Sequence, residues 1–193
     1  MIPASFFEQD PVTCARDLIG TTLVHRGCAG VVIETEAYAE HGDEACHLFT
    51  RPSARQFAAD HPPGTAYVYL NYGVHWLANV LCLDRRTGHA GFVLLRALEP
   101  VSGIPTMKRR RSQESLHALC SGPGKLGQAL GIGKEHHGRS FCESDTFCFL
   151  APEEPGLPTV ADRRIGISSA RDLPWRFLAR DHSGVSVPFG KAK

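Results

Sequence analysis

The segment Val31–Tyr38 places two carboxylates inside a mostly apolar, β-branched run. Residues of this type favour a β-strand, and alternate side chains of a strand share one face. Glu34, Glu36 and Tyr38 therefore point to the same side. An ionised carboxylate is rarely buried without a partner. This face is expected either to be hydrated at a sheet edge or to line a pocket that holds a flat molecule beside a base.

Further apolar and β-branched runs predict a series of strands joined by short links. They lie at residues 21–25, 66–70, 74–81, 92–98, 146–150, 164–167 and 176–179. Helices are predicted at residues 10–19, 112–119 and 124–130, and a proline-rich loop at 152–158. Short links favour antiparallel neighbours, because parallel pairs need long crossovers. The pattern predicts an α+β fold, and 193 residues with 42% hydrophobic content can form one domain over residues 1–193.

Two more residues are unusual for their positions in the predicted sheet. Tyr72 falls in a turn at the tip of a predicted hairpin, where an aromatic ring buries nothing within its own domain. It is a candidate contact to another molecule. Arg96 lies inside the apolar strand at 92–98 and needs a charged partner, for which Glu36 is the obvious candidate.

The chain also carries a series of motifs in a fixed order. They are Ile33–Tyr38, Asp43-Glu44-Ala45 with His47, Gly64-Thr65, Tyr67-Val68-Tyr69, Tyr72-Gly73, Asn79, Leu94–Pro100, and Cys120–Pro123 with Lys125-Leu126. Together they resemble the alkyladenine (3-methyladenine) DNA glycosylase family, from about Asp10 to Ser186. Several ordered motifs at compatible spacing are much more specific than one short pattern.

The resemblance implies a single compact domain built on a curved antiparallel β-sheet, with surrounding helices and a protruding β-hairpin. It also implies a monofunctional DNA glycosylase that flips alkylated or deaminated purines out of double-stranded DNA and starts base excision repair. Purines of this class are 3-methyladenine, 7-methylguanine, hypoxanthine and ethenoadenine. Glu36 is similar to the family's general base, which deprotonates a water. Arg96 and the backbone carbonyl of Ile165 would hold that water.

Residues that would contact the substrate follow from the same resemblance. The implied substrate-binding residues are Tyr38, His47, Tyr69, Asn79 and Leu94, and Tyr72 would intercalate into the DNA. A tyrosine face suits a cationic alkylated purine. The alternative for Tyr69 and Asn79 is a purely structural role, with their polar groups satisfied internally.

Local charge clusters are the expected contacts to the DNA backbone. The formal net charge of +1 does not by itself indicate a nucleic-acid-binding protein, but residues 108–111 form a compact basic run. The expected backbone contacts are Arg55, Lys108, Arg109, Arg110 and Lys125. A solvated loop is the alternative for the basic run.

Cysteine and histidine spacing predicts neither a disulfide framework nor a metal site. The seven cysteines are odd in number and form no CxxC pair, and no signal or membrane-spanning segment is present. A site made from His41, Cys46 and His47, joined by residues 136–137, lacks the paired spacing of a zinc site. We therefore expect no metal, no cofactor and no membrane partner. The expected location is the cytoplasm, with the nucleoid in a bacterium or the nucleus in a eukaryote, and the expected state is a monomer.

Two other functions compete with a glycosylase. A non-catalytic damaged-DNA-binding protein would have no need of an ion-paired base such as Glu36 with Arg96. A hydrolase of small nucleoside or formyl substrates would have no use for an exposed aromatic residue such as Tyr72. The pattern GxGxxG at residues 122–127 is a weak signal for nucleotide binding, because no apolar strand precedes it.

Overall fold

The computed structural model describes residues 1–152 and 156–192. Within them, eight strands are β1 (Thr22–His25), β2 (Cys28–Ala39), β3 (Ala66–Asn71), β4 (His75–Leu83), β5 (Ala90–Ser102), β6 (Phe147–Leu150), β7 (Thr159–Asp162) and β8 (Arg176–Ala179). Six α-helices are α1 (Pro11–Asp17), α2 (His47–Thr50), α3 (Pro52–Asp60), α4 (Ile104–Arg111), α5 (Leu116–Leu119) and α6 (Pro123–Leu130). Short 3₁₀ helices span Ala4–Phe7 and Lys134–His136.

All strand pairs join into one antiparallel sheet, in the order β3-β4-β5-β2-β1-β6. The long strand β2 pairs with β5 along one edge. Along its other edge it pairs first with β1 and then with β8, and β8 also pairs with β7. This branching curls the sheet around its interior, and the helices pack against it. The predicted α+β class and the antiparallel pairing are confirmed.

Two opposed bulges interrupt the β2–β5 pair. Val32 lies opposite Leu98 and the next partners are Glu34 with Ala97, so Ile33 is an extra residue on β2. One step further, Arg96 is an extra residue on β5. A bulge bends its strand and re-aims a side chain, and such features are common beside active sites. Here the bulges lie at the two carboxylates that the sequence singled out.

The core consists of two groups of buried apolar side chains. The larger lies between the sheet and helices α1, α4 and α6. The smaller includes Leu48, Phe57, Tyr67, Leu81 and Phe92, and it attaches α2 and α3 to the sheet. It therefore fixes the helical segment that follows His47. Among the described residues, no helix is both long and apolar enough to cross a membrane.

The predicted elements differ from the structure at several places. Residues 164–167 are not a strand, because the backbone at Gly166 is left-handed (φ 74°); the strand is β7, just before them. The helix predicted at 112–119 is replaced by α4 and α5, which are separated at Ser112 by a left-handed backbone (φ 48°). The basic run 108–111 thus lies in a helix rather than a loop. Helices α2 and α3 and strand β7 were not predicted. The predicted loop 152–158 falls partly on residues outside the described ranges.

Candidate active site

One cavity of about 340 Å³ opens beside the second half of β2 and the first half of β5. This volume lies within the range of small-molecule pockets. Its lining contains Tyr38, Ala45, His47, Tyr67, Tyr69, Asn71, Tyr72, Leu77, Asn79, Phe92, Leu94, Arg96, Pro123 and Ile165–Ile167. The walls are mainly aromatic and aliphatic, with a few polar groups, which suits a flat and largely apolar group.

Sheet register explains how distant parts of the chain meet at this cavity. Tyr67, Asn79, Leu94 and Glu36 stand directly opposite one another on β3, β4, β5 and β2. Directly opposed residues of paired strands share a face of the sheet. Tyr67, Asn79 and Leu94 line the cavity, and Glu36 continues the same row on β2 without lining it.

Glu36 lies behind this wall and is fully buried. The backbone N–H of Ile165 donates to its Oε1 at 2.7 Å, and the Tyr38 hydroxyl donates to its Oε2 at 2.8 Å. Arg96 Nη1 also donates to Oε2 at 3.2 Å. A carboxylate offers about four lone-pair directions, so three of them are used and one is left for a further donor.

Arg96 connects two carboxylates. Its Nε donates to Glu34 at 3.2 Å, while its Nη1 holds Glu36. Burial alone would lower the pKa of Arg96, but the charges of Glu36 and Glu34 raise it above its usual value. The guanidinium therefore stays charged. Glu34 is itself fixed by Arg176 at 2.9 Å and by the hydroxyl of Ser186 at 2.8 Å.

The aromatic residues of the cavity are held in their neutral forms. Burial, followed by the nearby charge of Glu36, raises the pKa of Tyr38 well above its usual value. Burial also raises the pKa of Tyr69 to about 12 and, with the charge of Arg51, lowers the pKa of His47 to about 4. The His47 ring packs edge-on to Tyr69, with centroids 4.6 Å apart. A neutral His47 does not repel a positively charged ligand in the cavity.

Asn79 and Leu94 form the inner wall of the cavity. The Asn79 side-chain amide donates to the backbone carbonyl of Tyr67 at 3.0 Å, and both Asn79 and Leu94 are 4% exposed. The amide is therefore fixed in orientation. The rings of Tyr67 and Phe92, which also line the cavity, stack with centroids 4.3 Å apart.

Tyr72 sits at the tip of the β3–β4 hairpin and is 88% exposed. Its backbone has a φ of 49°, in the left-handed region that non-glycine residues rarely adopt. Val74 and Leu70 are also exposed on this hairpin. The hairpin therefore presents an apolar tip at the mouth of the cavity, and Tyr72 belongs to both.

Basic residues predicted to contact the DNA backbone already bind groups of their own chain. Arg55 donates to the carbonyl of Leu48, Lys108 pairs with Glu114, Arg109 reaches Thr106, and Lys125 reaches Ser121. Arg110 donates to the carbonyl of Ala129 in the last turn of α6, where a cation stabilises a helix end. These contacts assign Arg110 a structural role within the protein. DNA contact by the five residues stays a prediction.

Several residues of the site were not predicted as functional. Glu34 is the second partner of Arg96, Tyr67 and Phe92 form part of the wall, and Asp43 pairs with Arg164 beside Ile165. Glu34 shares the strand face of Glu36, which was the available signal for it. No group of three metal-ligating side chains occurs in residues 1–152 and 156–192. The seven cysteines are free thiols.

A buried carboxylate–guanidinium pair beside an aromatic cavity suits an enzyme that binds a flat group next to a proton acceptor. The chain belongs to the Methylpurine-DNA glycosylase (MPG) family, whose model matches residues 5–183. It is accordingly a DNA repair enzyme that hydrolyses N-glycosyl bonds, and the resemblance seen in the sequence is confirmed.

Similar bacterial proteins cover nearly the whole chain. A protein of Nitrosospira multiformis is 43% identical over 97% of this chain and 94% of its own length. A protein of Rhodopseudomonas palustris is 46% identical over 97% of this chain and 91% of its own length. A protein of Chlorobaculum tepidum is 42% identical over 91% of this chain and 86% of its own length. Each carries the name "Putative 3-methyladenine DNA glycosylase".

Proposed function

We propose that this protein is a monofunctional glycosylase that flips a damaged purine out of duplex DNA and hydrolyses its N-glycosidic bond with a water activated by Glu36. The observation that carries the proposal is the position of Glu36. It is buried beside the cavity, tied to Arg96 and to the N–H of Ile165, and has one lone-pair direction free.

The cavity and the hairpin tip support flipping. An enzyme that acts on a base inside a duplex must rotate the nucleotide into a pocket, and damaged bases cost least to extrude. The base would enter the space between Tyr38, His47 and Tyr69, which line the cavity. Tyr72 would fill the gap left in the duplex, because an inserted side chain offsets lost stacking.

The chemical step needs only water and the side chains present. Glu36 takes a proton from the water as its oxygen bonds to the anomeric C1′ of the flipped nucleotide. The C1′–N bond breaks and its electrons leave with the base: a cationic base departs as a neutral purine, and a neutral base departs as an anion that takes a proton from solvent, with an abasic site as the other product. Arg96 keeps Glu36 oriented, and with the carbonyl of Ile165 it would help to hold the water.

The substrates that fit are alkylated and deaminated purines. Cationic bases such as 3-methyladenine and 7-methylguanine gain from the faces of tyrosine rings and meet a neutral His47. Neutral bases such as hypoxanthine and ethenoadenine rely more on hydrogen bonds from His47. Asn79, held by Tyr67, would exclude bases whose exocyclic amino group meets this wall.

We also propose that residues 1–193 act as one glycosylase domain and as a monomer. The single sheet that joins all described strands supports one domain. We propose that the protein acts in the cytoplasm, on the DNA of the nucleoid. The bacterial origin of its relatives supports this location.

The deciding experiment uses a duplex oligonucleotide with one hypoxanthine or one ethenoadenine. After incubation with the protein, alkali cleaves the strand wherever the base has been removed. An undamaged duplex is the control. Cleavage at the lesion alone supports the proposal, whereas tight binding without cleavage would indicate a damaged-DNA-binding protein.

A further inference from the structure

Asp43 and Arg164 form a buried ion pair at the edge of the cavity. Arg164 donates to both oxygens of Asp43, at 2.6 and 2.7 Å, and neither side chain is exposed to solvent. The same guanidinium donates to the carbonyl of Ala37 at the end of β2 and to that of Ala170. It thus connects three parts of the chain.

The backbone on either side of Asp43 also binds its carboxylate. Its carboxylate accepts the N–H groups of Ala39 and Ala45, both at 3.1 Å. This turn leads from β2 to His47 and includes Ala45, which lines the cavity. The ion pair therefore ties the β2–α2 turn to the segment at 164–167.

The pair lies directly behind two of the three donors to Glu36. Arg164 precedes Ile165, whose N–H donates to Glu36. The centre of its guanidinium lies 4.6 Å from the ring centroid of Tyr38, the second donor, and 5.3 Å from that of Trp175. Movement of Arg164 would displace both the amide and the tyrosine.

We propose that Asp43 and Arg164 are positioning residues for the cleavage step. They fix the N–H of Ile165 and the hydroxyl of Tyr38 against Glu36 and so preserve the lone-pair direction that the water needs. This inference rests on the proposed function. It assigns the pair an effect on the rate of base excision rather than on the affinity for damaged DNA.

Stability alone is a weak reason for such a pair. Two buried charges are expensive to desolvate, and apolar residues of similar volume often replace them without loss. Arg164 Nε is moreover the buried side-chain polar atom that has no hydrogen-bond partner within residues 1–152 and 156–192. An unsatisfied buried donor has a cost that a purely structural contact would avoid. What the planar fork achieves is simultaneous attachment to Asp43, Ala37 and Ala170, which a lysine cannot reproduce.

The test compares Arg164→Lys with the intact protein in three measurements. These are single-turnover excision of ethenoadenine, affinity for a duplex with a reduced abasic-site analogue, and the thermal unfolding midpoint. We expect excision to slow by tenfold or more while the affinity changes by less than threefold. Asp43→Asn is the second variant, for use if Arg164→Lys does not fold. It keeps an acceptor for the backbone but loses the charge, and it should also slow excision.

The pH–rate profile separates positioning from general destabilisation. Loss of an N–H donor disfavours the charged form of a carboxylate, so the acid limb should move to higher pH in Arg164→Lys. The variant leaves the other titratable residues around Glu36, which are Glu34, Arg96, Tyr38 and Tyr69, unsubstituted. Phe149→Leu in β6 is the matched control, because it weakens the core far from the cavity and should leave rate and profile as they were.

The outcomes distinguish this inference from the proposed function. An active intact protein with an Arg164→Lys variant of equal rate and unchanged pH profile would overturn the positioning role and leave the glycosylase proposal intact. An intact protein that excises no damaged purine would overturn both.

Discussion

Replacement of Glu36 by glutamine is the sharpest test of the mechanism. The substitution keeps the shape of the side chain but removes its ability to take a proton from water. General-base assistance contributes about 10²–10⁴-fold to rate, which corresponds to about 2.7–5.4 kcal/mol at 1.36 kcal/mol per factor of ten. We therefore expect single-turnover excision by Glu36→Gln to fall by at least two orders of magnitude.

The hydrogen bonds of Glu36 set the cost of the same substitution in stability. Oε1 faces the N–H of Ile165, and Oε2 faces Arg96 and Tyr38. The tyrosine hydroxyl can turn and accept, but the amide and the guanidinium cannot. The new NH₂ group therefore opposes one donor in either orientation. Such a mismatch costs about 1–3 kcal/mol, which is less than the roughly 5–15 kcal/mol of a typical domain.

Excision of hypoxanthine under single-turnover conditions gives the rate, and a duplex with an abasic-site analogue gives the affinity. Affinity should change little, because Glu36 lies behind the cavity wall rather than among its lining residues. Glu34→Gln is the matched control. It removes a second carboxylate from the same guanidinium without touching Ile165 or Tyr38, so excision should stay within tenfold of the intact protein.

Either of two results would refute this reasoning. A Glu36→Gln rate within threefold of the intact protein would remove the assignment of Glu36 as the base. A Glu34→Gln variant that lost excision as completely as Glu36→Gln would show that the whole charge network, rather than one carboxylate, limits the reaction.

Three further predictions concern other parts of the molecule. Tyr72→Ala should reduce the change in ethenoadenine emission that accompanies flipping, and Asn71→Ile should alter this change much less. Flipping by Tyr72→Ala that equals flipping by the intact protein would contradict the intercalating role. Borohydride should trap no covalent DNA adduct, because no lysine lines the cavity in the described residues, and Lys193 lies outside them. Burial lowers the pKa of His25 from 6.5 to about 4 and lowers that of His136, so the unfolded state binds more protons between these values. The free energy of unfolding, measured by denaturant titration, should therefore be highest above about pH 6.5 and fall toward pH 4. The fall should be smaller in His25→Gln, and an equal fall in both proteins would contradict this role of His25.

Local sequence patterns were sufficient for most of the sheet. β8 begins and ends at the predicted residues, and the ends of β1, β3 and β4 differ from prediction by at most two residues. Alternating apolar residues and short links carry that information directly. Helix α3 was missed because only Ala54 and Phe57 of its nine residues are buried, which leaves a weak periodic signal. Its position depends on the contact of Phe57 with Tyr67 and Phe92.

The pairing of Glu36 with Arg96 was also predictable, since a lone cation in an apolar strand needs a partner. The second partner, Glu34, was not assigned, because its contact depends on the bulges at Ile33 and Arg96. A bulge leaves no reliable pattern in one sequence. The role of Arg164 was missed for a different reason, because Ile165 and Ile167 after it suggested a strand.

The branching of β2 gives a physical reason for the position of the site. One strand carries Glu34 and Glu36 between β5, which supplies Arg96, and β8, which supplies Arg176. Buried carboxylates need partners, and an interior strand with two paired edges can receive cations from both neighbouring strands. The 163–167 segment then closes over Glu36 with the N–H of Ile165. Charge pairing across the sheet therefore holds Glu36 in place, while the aromatic wall beside it is left free to receive the purine of the proposed reaction.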